Sequence, residues 1–150
     1  MHRTALFGAL AVVAFAAQPA LAQKAPANVA EKIEAAANGA HRSDANKARN
    51  QYRHPVETLT FFGLTPGMTV VEISPGGGWY TEVLAPVLKD KGRYIAAHNN
   101  PMGSPGGQRQ RTAFIEQVGA NPEVYGKVAV TSFGKGIEGN IAAPGSADMV

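Results

Sequence analysis

The chain has 150 residues, 45% hydrophobic and 17% charged, with a formal net charge of +3 and no cysteine. That is enough chain for one small globular domain, and neither its composition nor its charge calls for nucleic acid. Disulfides, thiolate metal sites, a cysteine nucleophile and a lipid anchor on cysteine are all excluded.

Residues 1–22 read as an export signal. His2 and Arg3 form a polar head, Ala5 to Ala17 an apolar core, and Ala20-Leu21-Ala22 a small-residue cleavage site before Gln23. The apolar run is short for a bilayer crossing, so no membrane span is expected once it is removed. Residues 23–54 read as an amino-terminal helical extension. Asn28 can cap a helix to Ala37, closed by Asn38-Gly39. Its apolar positions are weak, so it is expected to lie on the surface. Ser43 or Asp44 caps a second helix reaching about Tyr52, and His54-Pro55 ends it, because a residue before proline disfavours the helical region. Pro55 suits the first turn of a third helix, Pro55 to Phe62, with Val56, Leu59, Thr60 and Phe62 facing inward.

The centre of the chain is Thr69 to Leu88. Thr69-Val70-Val71-Glu72-Ile73 is rich in β-branched residues and reads as a buried strand. Ser74-Pro75-Gly76-Gly77-Gly78 breaks it, and from Trp79 the apolar residues Val83, Leu84, Val87 and Leu88 follow at helical spacing. Strand, glycine turn and helix open a βαβ unit in which backbone can approach a ligand and helix N–H groups point toward it. A tight turn without a ligand is the competing reading, but such a turn needs only one glycine. Pro86 removes one backbone bond near the end of this helix.

Lys89 to Gly92 is a turn and Arg93 to Ala97 a second strand. His98 to Gly107 is expected to be irregular, followed by a helix from Gln108 to Val118 with Phe114, Ile115 and Val118 inward. Asn121-Pro122 starts a loop, Lys127 to Phe133 is a third strand, and Gly134 to Ser146 is a glycine-rich loop. Ala147-Asp148-Met149-Val150 looks like the start of a fourth strand, as in the front part of a larger protein. The alternation predicts an α/β fold with a parallel sheet preceded by helices.

The run Glu72-Ile73-Ser74-Pro75-Gly76-Gly77-Gly78, continued by Trp79 to Pro86, resembles the first motif of the class I S-adenosylmethionine-dependent methyltransferases. Ser74 stands where that motif has its first glycine; Pro75, Gly76 and Gly78 match. Gly92 before an apolar strand and Ala147-Asp148-Met149-Val150 also fit. Residues from Arg53 to Tyr80 are similar to a group of exported predicted methyltransferases of bacteria, and the resemblance spans roughly 41–150. It implies a periplasmic protein whose residues 55–150 form a Rossmann-like domain cut off after the start of the fourth strand. It also implies S-adenosylmethionine as cofactor. Glu72 would orient the loop near the cofactor's amino-acid end, and Ser74, Pro75, Gly76, Gly77 and Gly78 would line it. The acid that ends the second strand in this family would grip the ribose; here that place holds His98 and Asn99. Their side chains can bond a hydroxyl without the charge assistance of a carboxylate. A loop histidine facing water is the alternative for His98.

Other readings stay open. His41, Arg42, Arg49, Arg53 and His54 could close over a substrate or anion, or form a solvated helix surface. His41, His54 and His98 lack metal-ligand spacing, so no metal is expected. A nicotinamide-dependent oxidoreductase would need a glycine where Thr81 stands. A non-catalytic exported protein that keeps the fold is the third possibility. No residue stands out as catalytic, and the methyl acceptor is not legible.

Overall fold

The computed structural model describes residues 27–137 and 141–150, so the expected signal segment lies outside the described residues. The fold is α/β. Three parallel strands, β1 (Thr69–Ile73), β2 (Arg93–Asn99) and β3 (Ala129–Phe133), lie side by side in the order β1-β2-β3. Val70 lies opposite Tyr94 and Ile73 opposite Ala97, while Ile95 pairs with Ala129. The other edge of β1 carries an isolated parallel bridge from Val70 to Met149, with Val71 N–H donating to the Met149 carbonyl at 2.9 Å. After β3 the chain therefore returns across the sheet to the far side of β1. Strand order reverses there, and in open α/β sheets the crevice at such a reversal is where ligands bind.

Helices cover one face. α1 (Ala27–Ala37), α4 (Pro55–Phe61), α5 (Thr81–Leu88), α6 (Pro105–Ala120) and α7 (Pro122–Tyr125) pack over Val70, Tyr94 and Ala96. On the opposite face Val71, Ile95 and Ala97 are covered by Ile141, Ala142 and Ala147 from the loop before the bridge. The helix expected on the surface is instead a core element. Val29, Ile33, Ala36 and Ala37 are buried; they fall at i, i+4, i+7 and i+8, and the small alanines let α1 close on its neighbours. Burying a side chain the size of Ile33 contributes about 1.5–3 kcal/mol.

Several element boundaries differ from the sequence expectation for identifiable reasons. The second helix splits into two single turns, α2 (Asp44–Lys47) and α3 (Asn50–Arg53), with the Ser43 hydroxyl capping the first. The Trp79 indole N–H takes the Asn46 carbonyl at 3.0 Å, the acceptor that the Asn50 N–H would use in a continuous helix. α4 stops at Phe61, leaving Phe62 exposed, because Gly63 (φ 73°) reverses the chain and Leu64 takes the buried position. Of the stretch His98 to Gly107, expected to be irregular, His98 and Asn99 belong to β2 and the chain is helical from Pro105: Ser104 caps it by accepting from the Gly107 N–H at 3.2 Å, and proline occupies the first turn. Ile115, expected inward, is exposed, while Phe114 is fully buried.

α5 contains Pro86, which cannot bond the Glu82 carbonyl. His41 Nε2 donates to that carbonyl at 2.8 Å, so a side chain from another segment replaces the missing backbone donor. His41→Ala should therefore cost about 1–3 kcal/mol by chemical denaturation. In a Pro86→Ala background the restored N–H competes for the same carbonyl, so the cost should shrink. Equal costs in both backgrounds would contradict this pairing.

Candidate functional site

The pairing of β1 with β2 runs one step past Ile73, through Ser74 N–H to the Ala97 carbonyl at 2.9 Å. The chain then turns through three left-handed residues at alternate positions: Ser74 (φ 54°), Gly76 (φ 60°) and Gly78 (φ 77°). Pro75 holds its own φ near −65° between the first two, and its carbonyl accepts from Gly78 N–H at 2.9 Å. Ser74 thus adopts a backbone shape that glycine takes without strain, at the position where the resembling motif has glycine. The glycines have different reasons. A Cβ on Gly78 would press on the Phe114 ring at 3.1 Å. A Cβ on Gly77 would meet nothing within 4 Å, and one on Gly76 only the Gln110 amide at 3.9 Å. Gly78 answers to packing; Gly76 and Gly77 present bare backbone to open space.

α5 begins at Thr81 rather than Trp79, because Gly76 to Tyr80 is spent on consecutive turns. Beside the loop lies a cavity of about 350 Å³ whose lining includes Glu72, Ser74, Pro75, Gly76 and Gly77. Trp79, Tyr80, Asn46, Arg49 and Arg53 complete its wall. A cavity of similar size between α4 and β1 is lined by Leu59, Phe62, Val70 and Ile73 and is far more apolar.

Glu72 sits at the carboxyl end of β1 and accepts a hydrogen bond from the Tyr94 hydroxyl. Thr81 Oγ1 lies 2.8 Å from the same hydroxyl. Burial pushes the Glu72 carboxyl above the usual range, opposed by its bond from Tyr94, by the nearby Thr81 hydroxyl and by the Arg53 charge. Burial, with the Glu72 charge beside it, pushes the Tyr94 phenol up as well, so it stays protonated as a donor. Sequence reasoning missed Tyr94 and Thr81. Tyr94 reads there as one more apolar strand residue, and only the parallel register turns it to the face that carries Glu72.

His98 is neither solvated nor turned outward. Its side chain is fully buried against Phe114, with ring centroids 5.0 Å apart. Asn99 N–H donates to Nδ1 at 2.8 Å, which places the ring proton on Nε2, and Nε2 faces the Gly76 carbonyl at 3.1 Å. The imidazole therefore straps the glycine loop to the end of β2. Burial holds its pKa below the ordinary value, and Arg111 adds to that, against the Gly76 bond. Asn99 ends β2 outside the lining of the cavity beside the glycine loop, its amide donating to Gln110 Oε1 at 2.8 Å. Among the described residues no three acidic, histidine or cysteine side chains converge as a metal site would require.

The basic cluster divides into two roles. Arg42 is buried: Nε donates to Glu82 Oε2 at 2.9 Å and Nη1 donates to Asn50 Oδ1 at 2.9 Å and to the Ala37 carbonyl at 2.5 Å. Asn46 Nδ2 donates to both Glu82 oxygens at 3.0 Å. Arg53 lies 4.8 Å from the Trp79 ring centroid and 5.9 Å from that of Tyr80. Arg49 and Arg53 line the cavity, while His54 is exposed with φ 42°.

Two outcomes are expected. Arg42→Met should cost about 3–5 kcal/mol, because it strands Glu82 in the interior; adding Glu82→Leu should recover part of that loss in denaturant titration. His98 contributes as the neutral imidazole, with a folded pKa below the unfolded value of about 6.5. Its stabilisation is complete above that pH and is lost as pH falls through the folded value. The stability gap between wild type and His98→Ala should be about 2–4 kcal/mol at pH 7.5 and should narrow toward pH 5. A gap that is flat with pH would contradict the neutral strap.

No family model matches the chain, and neither the curated proteins nor the solved structures compared with it include a match.

Proposed function

We propose that this chain carries the donor-binding part of a class I methyltransferase site and binds S-adenosylmethionine at the glycine loop. The observation that carries the reading is the loop itself. Left-handed backbone alternates at Ser74, Gly76 and Gly78, at the carboxyl end of β1 where strand order reverses. Gly76 and Gly77 leave open the space that a side chain would fill. This fits a ligand that must lie close to backbone.

In this reading the loop backbone holds the methionine and ribose parts of the ligand. Glu72, fixed by Tyr94, lies near the amino-acid end. Asn99, paired with Gln110, offers polar groups to the ribose hydroxyls. S-adenosylmethionine supplies an electrophilic methyl group, and the residues of this chain bind and orient it, which is where most of the rate gain in such a transfer arises. The export signal read in residues 1–22 would put the protein in the periplasm.

A non-catalytic exported protein that keeps the fold is the competing reading. It is favoured by one observation, the absence of a carboxylate at the end of β2. A hydrogen bond to a charged group is worth ~1.5–3 kcal/mol against ~0.5–1.5 for a neutral one. The substitution should weaken binding by a factor of roughly 5–30.

Isothermal titration of the full chain with S-adenosylhomocysteine tests the reading. Weak binding is expected for wild type, tighter binding for Asn99→Asp, and none for Gly76→Val that circular dichroism shows to be folded. No heat at millimolar ligand in folded wild type would leave the non-catalytic module.

A further inference from the structure

The cavity beside the glycine loop has a charge pattern that the loop does not explain. Two guanidinium groups, Arg49 and Arg53, line it, and both come from the amino-terminal extension rather than from the sheet unit. Among the described residues neither has a carboxylate within ion-pairing distance; the ion pairs formed there are Arg42–Glu82 and Lys47–Asp44. The acid that shares the cavity, Glu72, accepts from Tyr94 and feels the Arg53 charge without forming an ion pair with it. Arg53 lies over the Trp79 ring at 4.8 Å and beside Tyr80 at 5.9 Å, a cation–π contact that leaves guanidinium N–H groups available to an acceptor. Trp79 is held in turn by its bond to the Asn46 carbonyl. The result is a cationic rim facing one acid across a small cavity. That complements a zwitterion, with the arginines meeting a carboxylate and the acid meeting an ammonium.

We propose that Arg49 and Arg53 form a carboxylate-recognition subsite that grips the α-amino-acid end of the ligand bound at the glycine loop, with Glu72 on the ammonium side. The inference rests on the S-adenosylmethionine reading of that loop. It makes the extension a working wall of the site. Arg53 supplies a planar fork suited to a carboxylate, and the more exposed Arg49 adds a second donor group at the rim.

Three ligands separate the contributions: S-adenosylhomocysteine, its decarboxylated analogue, and 5′-methylthioadenosine, which lacks both the carboxylate and the ammonium. Each is titrated calorimetrically into the full chain as wild type, Arg49→Gln, Arg53→Gln, Arg53→Lys and the double glutamine variant, with thermal melts to confirm folding. The double variant should bind S-adenosylhomocysteine about 10–100-fold more weakly, while its affinity for the other two ligands stays within about twofold of wild type. Arg49→Gln lies outside the aromatic stack, so it should show a smaller loss of the same pattern even if Arg53→Gln disturbs the fold. Arg53→Lys should recover part of the affinity. The proposal is overturned if wild type binds S-adenosylhomocysteine and the glutamine variants bind it equally well. It is also overturned if they lose all three ligands alike, which would mark the arginines as wall structure only. If wild type binds none of the three, the reading of the loop falls, and this inference with it.

Discussion

Arg42 and Glu82 meet at 2.9 Å in the interior, between the amino-terminal helices and α5. Two charges held almost wholly out of water are tolerable only when both are paired and their remaining hydrogen-bonding capacity is largely used. Glu82 receives Arg42, Asn46 and, at 3.3 Å, Gln117 from α6. Arg42 also closes the carboxyl end of α1 through the Ala37 carbonyl, which Asn50 shares at 2.9 Å. One residue of α5 thereby fixes the end of α1, the turn at Asn46, the start of α3 and the flank of α6. The charge pair matters less as a source of stability than as a register mark. It permits one arrangement of the extension over α5, and that arrangement sets Trp79 and Arg53 beside the glycine loop.

The loop is held from the other side by a different kind of contact. His98 reaches from β2 to the Gly76 carbonyl and is itself oriented by the backbone of its neighbour. Glu72 and Tyr94 bond beneath the loop, and Phe114 packs against His98 and limits what can stand at Gly78. A run of three glycines would lose much conformational entropy in folding. Here that loss is opposed by the contacts that His98 and Phe114 make around the turn, so the bare backbone at Gly76 and Gly77 is presented by a supported turn. Preorganisation of this sort lowers the ordering cost that a ligand would otherwise meet.

How much of this was legible in the residues depends on the range of the interaction. β1, the glycine turn and the buried side of α5 follow from local pattern: β-branched residues, a turn cluster and apolar spacing. The three parallel strands follow from alternation. What was not legible was set by contacts distant in sequence. The helix expected from about residue 44 to Tyr52 is interrupted beside Asn46, whose carbonyl is bonded by Trp79 from more than thirty residues on. α1 looked too weakly apolar to be buried, since two alanines carry half of its inner face, and their value appears only when a partner helix is close. His98 looked equally suited to a ligand or to water, because nothing local says that its ring will meet the Gly76 carbonyl. The helix expected from Gln108 starts three residues earlier, at Pro105, because Ser104 followed by proline is a start signal that the two glycines after it obscure.

The bond from His41 to the Glu82 carbonyl also bears on the order in which the molecule assembles. A helix interrupted by proline near its end has a broken ladder, and an eight-residue helix is marginal when isolated. α5 receives its missing donor only when residue 41 arrives, and its buried carboxylate is matched only when residue 42 arrives with it. Neither side of this contact has reason to hold its shape first. Docking of the segment that carries Arg49 and Arg53 therefore completes the helix that follows the glycine loop. A version with the loop in place but its rim undocked would leave the Glu82 carboxylate without Arg42 and Asn46, at the cost of an unpaired buried charge.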